Sequence, residues 1–133
     1  MSEETAISAE SRMSAMLPEQ EGAASRVWYA NRNDGPGRVI YVEGNFGYSL
    51  YADFRAAYQD LQAGVPVDVD LQGAEDIDSA ALGILMMLSE HVGSDNRRIR
   101  LYVRPGSIVE RVLDTAGFAK RFSVLRQMRP DDD

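Results

Sequence analysis

The chain has no cysteine among its 133 residues. That excludes disulfides, thiolate metal sites and cysteine nucleophiles, and it accords with a cytoplasmic location. Histidine occurs once, at His91, in what reads as the last turn of a helix, where capping or interaction with the helix dipole is the ordinary role. Long apolar runs are missing too. The longest apolar stretch, Ala80 to Leu88, suits one buried helix and is far short of a bilayer span. The N-terminus has Glu3 and Glu4 early and no apolar h-region, so a secretory signal is not expected. Positive charge is also scarce: 14 Lys and Arg stand against 21 Asp and Glu, for a net charge of −7. Nucleic-acid binding needs a basic footprint. The one basic cluster, Arg97, Arg98, Arg100 and Arg104, reads as a solvated strand face. No nucleic-acid or membrane partner is therefore expected.

What is present is enough chain for one domain with a real core. The acidity gathers at the ends: residues 1–26 carry two Arg and five Glu, and residues 129–133 one Arg and three Asp. Residues 1–26 show no sustained periodicity and read as a disordered or loosely helical acidic extension, interrupted by Pro18. The domain is expected over 27–126, with 127–133 as an acidic tail.

Within it, Val27 to Ala30 reads as a strand and Asn33 to Gly37 as a turn. Arg38 to Glu43 then pairs back as a hairpin strand that ends at Gly44-Asn45. Leu50, Phe54, Ala57, Tyr58 and Leu61 recur at helical spacing and predict a helix over Tyr48–Gln62, stopped by Gly64. Pro66 to Leu71 alternates strictly, with Val67, Val69 and Leu71 on one face and Asp68 and Asp70 on the other. A loop from Gln72 to Asp78 leads into a helix from Ser79 to Val92. A turn at 93–96, a strand at Ile99–Val103, a helix at Ser107–Ala116 and a short last strand near Phe122–Val124 follow. In the late helix Ile108, Val109, Val112 and Leu113 are expected to face inward. The order implies an α/β sandwich with helices on at least one sheet face.

The segment Glu75-Asp76-Ile77-Asp78-Ser79-Ala80-Ala81-Leu82-Gly83 carries the most information. An acidic loop ends at a serine that opens an apolar helix. By position Ser79 fits an N-cap, its side chain accepting from the N–H of Ala81 or Leu82. It also suits a charge switch. A phosphate there would gain from the helix terminus and add about −1.5 to −2 beside Glu75, Asp76 and Asp78. On local physics alone the cap is the default. Gly83 within a helix costs up to about 1 kcal/mol relative to alanine, so close approach of a strand or a partner is expected there.

This segment, with Val69-Asp70-Leu71 before it, resembles the signature of STAS domains, and more narrowly of bacterial anti-sigma factor antagonists of a proteobacterial subgroup. Tyr48 to Tyr58 and Leu113-Asp114-Thr115-Ala116-Gly117-Phe118 resemble that family's first helix and late-helix exit. The likeness covers roughly 27–126. It implies a STAS-like sandwich, a mixed sheet of about five strands with helices packed mainly on one face. It implies partner switching: a serine kinase of the histidine-kinase ATPase fold, itself the anti-sigma factor, phosphorylates Ser79, a PPM-type phosphatase reverses this, and only the unphosphorylated form binds. Asp76, Asp78, Ser79, Ala80, Leu82 and Gly83 would then form the partner-binding surface, with the Gly44–Tyr48 turn beside it. Ala80 and Ala81 depart from the family's Ser-Gly, which leaves Ser79 as the single acceptor. ATP and magnesium belong to the kinase, so no cofactor is assigned to this chain. A constitutive STAS scaffold in a lipid-transport ABC complex or sensory assembly is the second reading. An enzyme is the third: Ser79 lacks a base–orienter pair, and Asp76 with Asp78 is thin ground for a cation site. No catalytic residue or metal ligand is assigned.

Overall fold

A computed structural model describes residues 25–33, 35–93 and 99–127. Residues 1–24 of the acidic extension, Asp34, the turn at 94–96, Arg97, Arg98 and the tail from 128 lie outside the described residues. Among the described residues five strands form one sheet in the spatial order β1 (Arg26–Asn31), β2 (Arg38–Phe46), β3 (Val67–Ile77), β4 (Ile99–Tyr102) and β5 (Ser123–Leu125). β1 pairs with β2 antiparallel, and the remaining pairs are parallel. The α-helices among the described residues are α1 (Tyr51–Ala56), α2 (Ser79–Val92) and α3 (Ile108–Thr115). This is the mixed α/β sandwich expected. One contiguous core joins Ile40, Val42, Val67, Val69, Leu71, Ile99 and Leu101 of the sheet to the buried apolar residues of all three helices.

Four elements differ from the sequence reading. First, β2 does not stop at Gly44-Asn45; Gly44 continues the strand at φ 81°, and pairing runs to Phe46. Second, Gln72–Ile77 is strand, not loop. Two register shifts against β2 place extra residues in β3, so buried positions recur as Leu71, Ala74 and Ile77. A spacing of three hides a strand from a search for alternation. Gly73 permits this: a Cβ there would lie 2.8 Å from Glu43 Cγ.

Third, α1 ends at Ala56, after a 3-10 turn at Tyr48–Leu50. The buried Arg38 donates to the Ala57 carbonyl (3.0 Å) and pairs with both Asp60 oxygens (2.6 and 3.2 Å). The chain closes instead by a tighter bond from Leu61 N to Tyr58 O. Leu50, Phe54, Ala57 and Tyr58 are buried as their spacing predicted. Fourth, Ile108 of α3 is 53 % exposed rather than inward; Val109 and Leu113 carry the burial.

The alternation of β3 assigns its faces correctly, but both are buried. Asp68 is 1 % exposed and accepts a bidentate pair from Arg100 Nε and Nη2 (2.8 and 2.9 Å). Arg100 is thus tied into the sheet and is not part of a solvated basic face; Arg104 is exposed.

Candidate functional site

The parallel pairing of β2 with β3 brings Asn45 opposite Asp76 and Phe46 opposite Ile77. The start of α2 therefore sits against the turn that follows β2. The Asp78 N–H donates to the Phe46 carbonyl (3.2 Å). Asp78, extended at φ −113°, is the N-cap of α2: its Oδ1 accepts from the Ala81 N–H at 3.0 Å, and its carbonyl accepts from Leu82 N. This corrects the assignment of the cap to Ser79. Ser79 is the first residue inside the helix, and its side chain is exposed. Aspartate satisfies the helix-end donor and complements the dipole, so the serine hydroxyl is not required for either task.

Gly47 is packed against this cap. A Cβ at Gly47 would fall 2.6 Å from Asp78 Oδ2, although its φ of −148° suits any residue. The glycine serves close approach, not backbone conformation. Next to it Tyr48 is 73 % exposed and stacks on Tyr51 with ring centroids 6.0 Å apart. A cleft of about 260 Å³ lies between this turn and Asp76, Ile77 and Asp78. Asp76 is exposed and accepts from the Ile77 N–H at 2.8 Å.

Along α2 the sequence-derived surface residues divide by depth. Ala80 and Leu82 are half-buried and Gly83 is exposed. Nothing lies within 4 Å of a Cβ built on Gly83, so no strand or other part of the described chain approaches it. Leu82 lines an apolar groove of about 290 Å³ with Arg111, Val112, Thr115 and Ala116 of α3. Asp76, Asp78, Ser79, Ala80, Leu82 and Gly83 are thus gathered at the end of β3 and the first turns of α2. Sequence reasoning missed the α3 wall of the groove because Val112 reads as a core position, whereas it both packs against the core and lines the groove. It named the Gly44–Tyr48 turn but not the contact of Gly47 with the cap.

His91 lies in the last turn of α2, away from this site, and donates through Nε2 to the Leu61 carbonyl at 2.9 Å. A carbonyl can only accept, so the proton sits on Nε2. Among the described residues no cluster of three or more His, Asp or Glu side chains could hold a metal ion, and no helix is long and apolar enough to cross a membrane.

Comparison with known proteins places this geometry. A STAS-domain containing protein of Pseudomonas aeruginosa strain UCBPP-PA14 is 34 % identical over 93 residues, covering 68 % of this chain and 90 % of that one. An anti-sigma factor antagonist from Mycobacterium paratuberculosis superposes with a TM-score of 0.58 at 19 % identity, over 77 % of this chain and 88 % of that one. The anti-sigma factor antagonist SpoIIAA in its unphosphorylated form gives 0.54 at 14 % identity, over 79 % and 90 %. These two likenesses establish the fold. The family model described as Mlab, STAS domain matches residues 30–127, and the chain belongs to the STAS domain family.

Proposed function

We propose that this protein is an anti-sigma factor antagonist switched by phosphorylation of Ser79. Unphosphorylated, it binds an anti-sigma factor that is also a serine kinase of the histidine-kinase ATPase fold, and so frees a sigma factor for transcription in the cytoplasm. Phosphorylated, it releases that partner until a PPM-type phosphatase restores it.

The observation that carries this reading is the division of roles at the start of α2. Asp78 caps the helix, while Ser79 stands exposed one residue later. A kinase can therefore modify the hydroxyl without undoing the cap. The phosphate would add about −1.5 to −2 charge beside Glu75, Asp76 and Asp78. A partner covering Ser79, Leu82 and Gly83 would then have to bury a hydrated dianion, at a cost of several kcal/mol unless it is paired. A loss of only about 1.4 kcal/mol already weakens binding tenfold.

The test is a pull-down with wild type, Ser79→Ala and Ser79→Asp, joined to mass mapping after incubation with the retained kinase and ATP. Wild type and Ser79→Ala should hold the same partner, Ser79→Asp should lose it, and the phosphate should map to Ser79. Equal retention by all three forms would instead support the constitutive scaffold of a lipid-transport ABC complex or sensory assembly.

A further inference from the structure

A cleft between α1 and α2 has a volume of about 550 Å³, inside the span of about 300–1,000 Å³ usual for small-molecule sites. One wall is α1 and the turn after it, with Tyr51, Arg55 and Tyr58; the other is the end of α2, with Met87, Glu90 and His91. The first three are spaced by four and three, and Glu90 and His91 follow Met87 by three and four, so each set shares one face. Tyr58 is the buried member. It is 4 % exposed, with its ring edge-on to Phe54 at 5.9 Å and tilted against His91 at 5.1 Å. Its hydroxyl nevertheless makes no hydrogen bond among the described residues. Nor is that oxygen sealed in, since Arg38 Nε is the one fully buried side-chain polar atom without a partner among them. The hydroxyl therefore opens on the cleft that the residue lines. A polar group on so buried a side chain normally has a partner, because leaving it unpaired costs free energy.

Donors and acceptors are divided between the walls. Arg55 and the Tyr58 hydroxyl supply donors from the α1 side. On the α2 side Glu90 can only accept, and His91, whose Nε2 proton is held by the Leu61 carbonyl, offers Nδ1 as an acceptor. Arg55 and Glu90 are exposed, and neither forms an ion pair among the described residues. Both charges reach Tyr58: burial and then Tyr51 hold its hydroxyl above the ordinary value, Arg55 lowers it and Glu90 raises it. It therefore stays a neutral donor. One cation facing one anion leaves no surplus positive charge for a phosphate or nucleotide. It suits a ligand whose own two charges are separated in the opposite sense. Met87, 40 % exposed, adds an adaptable apolar surface between them.

We propose that this cleft binds a small zwitterion, a free α-amino acid with an apolar side chain. Its carboxylate meets Arg55 and the Tyr58 hydroxyl, its ammonium meets Glu90 and His91 Nδ1, and its side chain lies along Met87. The charge-assisted bonds at each end give the orientation. The inference is independent of the role proposed for Ser79, which opens α2 at the end opposite Met87 and His91.

The probes are L-leucine, L-methionine and L-phenylalanine, titrated into the full-length protein and followed by two-dimensional NMR. At least one should shift the Met87 methyl and the amides of 55–59 and 87–91, saturating below about 10 mM. The N-acetyl and amide derivatives of that amino acid each lack one charge and should bind about tenfold more weakly. Tyr58→Phe removes the hydroxyl alone. It should weaken binding about tenfold and leave the urea midpoint at or above that of wild type, since that oxygen holds nothing in the described chain. Arg55→Met, at an exposed position, should weaken binding at least as much. Glu90→Gln should bring the amino acid and its N-acetyl derivative to similar affinities. No saturable shift from any of the three amino acids overturns the proposal. So does binding that Tyr58→Phe leaves unaltered, or wild-type affinity that is equal for the amino acid and its singly charged derivatives.

Discussion

Replacing Asp78 by alanine should destabilise the protein by about 1–2 kcal/mol. Loss of an N-cap hydrogen bond costs about 1 kcal/mol, and loss of a carboxylate at a helix N-terminus about 0.3–1 kcal/mol more. Ser79→Ala should stay within about 0.5 kcal/mol of wild type, since the hydroxyl caps nothing and alanine is the better helix former. Gly47 supplies an internal check. A Cβ there meets Asp78 Oδ2 at 2.6 Å in a backbone conformation that alanine adopts freely. Gly47→Ala should therefore displace the carboxylate and cost about as much as losing the cap. In an Asp78→Ala background the obstructing oxygen is gone, and the same change should cost little; the difference is the coupling between the two positions. Urea denaturation followed by circular dichroism measures all of this. With a slope near about 2 kcal/mol per molar, the Asp78→Ala midpoint should fall by about 0.5–1 M. Equal losses from Ser79→Ala and Asp78→Ala would refute the cap assignment. An unchanged cost of Gly47→Ala in both backgrounds would refute the contact.

Gly83→Ala should stabilise α2 by up to about 1 kcal/mol, because the added methyl meets nothing within 4 Å. The same variant should bind the partner of the proposed switch less tightly in a pull-down titration; unchanged binding would place Gly83 outside the interface. Arg100→Met should cost about 3–5 kcal/mol, since it strips the bidentate partner from a nearly inaccessible carboxylate. Asp68→Asn should cost less, because the Arg100 side chain is 33 % exposed and can regain water. Paired urea midpoints decide the order. The hydrogen bond and charge of Arg38 hold the Asp60 carboxyl below its ordinary value. A lowered folded-state value means the contribution is present above the unfolded pKa and is lost as pH falls through the folded one. Asp60→Asn should therefore lower the midpoint at pH 7, and its difference from wild type should shrink as pH falls below the ordinary carboxylate range.

Much of the fold was legible because the chain repeats its signals at element scale. The Leu50–Tyr58 stripe and the Val67–Leu71 alternation each named a buried face that the structure retains. What was illegible follows from interactions between elements. The bulges of β3 arise from its register with β2, so Leu71, Ala74 and Ile77 show no period that a single strand would announce. Past the end of α1, Arg38, a residue distant in sequence, takes the Ala57 carbonyl. The cap of α2 was read to within one residue. Aspartate and serine are comparable caps by composition, and only the backbone at Asp78 decides which of them caps the helix. Sequence spacing also could not show that Gly83 lacks any internal neighbour.

That last point bears on where a partner meets this chain. A concavity of about 550 Å³ between α1 and α2 is lined by Tyr58 and His91 among others. Those side chains already serve the fold: Tyr58 packs edge-on against Phe54, and His91 holds the Leu61 carbonyl. The surface running from Tyr48 over Ser79 to α3 differs in kind. Gly83 weakens its helix with no packing gained in return. Tyr48 and Ile108 stay 73 % and 53 % exposed, and Leu82 lines a groove that the chain itself leaves open. Each feature is mildly unfavourable in the isolated protein, and each becomes favourable when a second backbone closes over α2. Under that reading the glycine admits close approach, the groove takes an apolar side chain, and Ser79 lies where an added dianion would be covered. On the proposed function, uncompensated local cost rather than size marks the surface where a partner would dock.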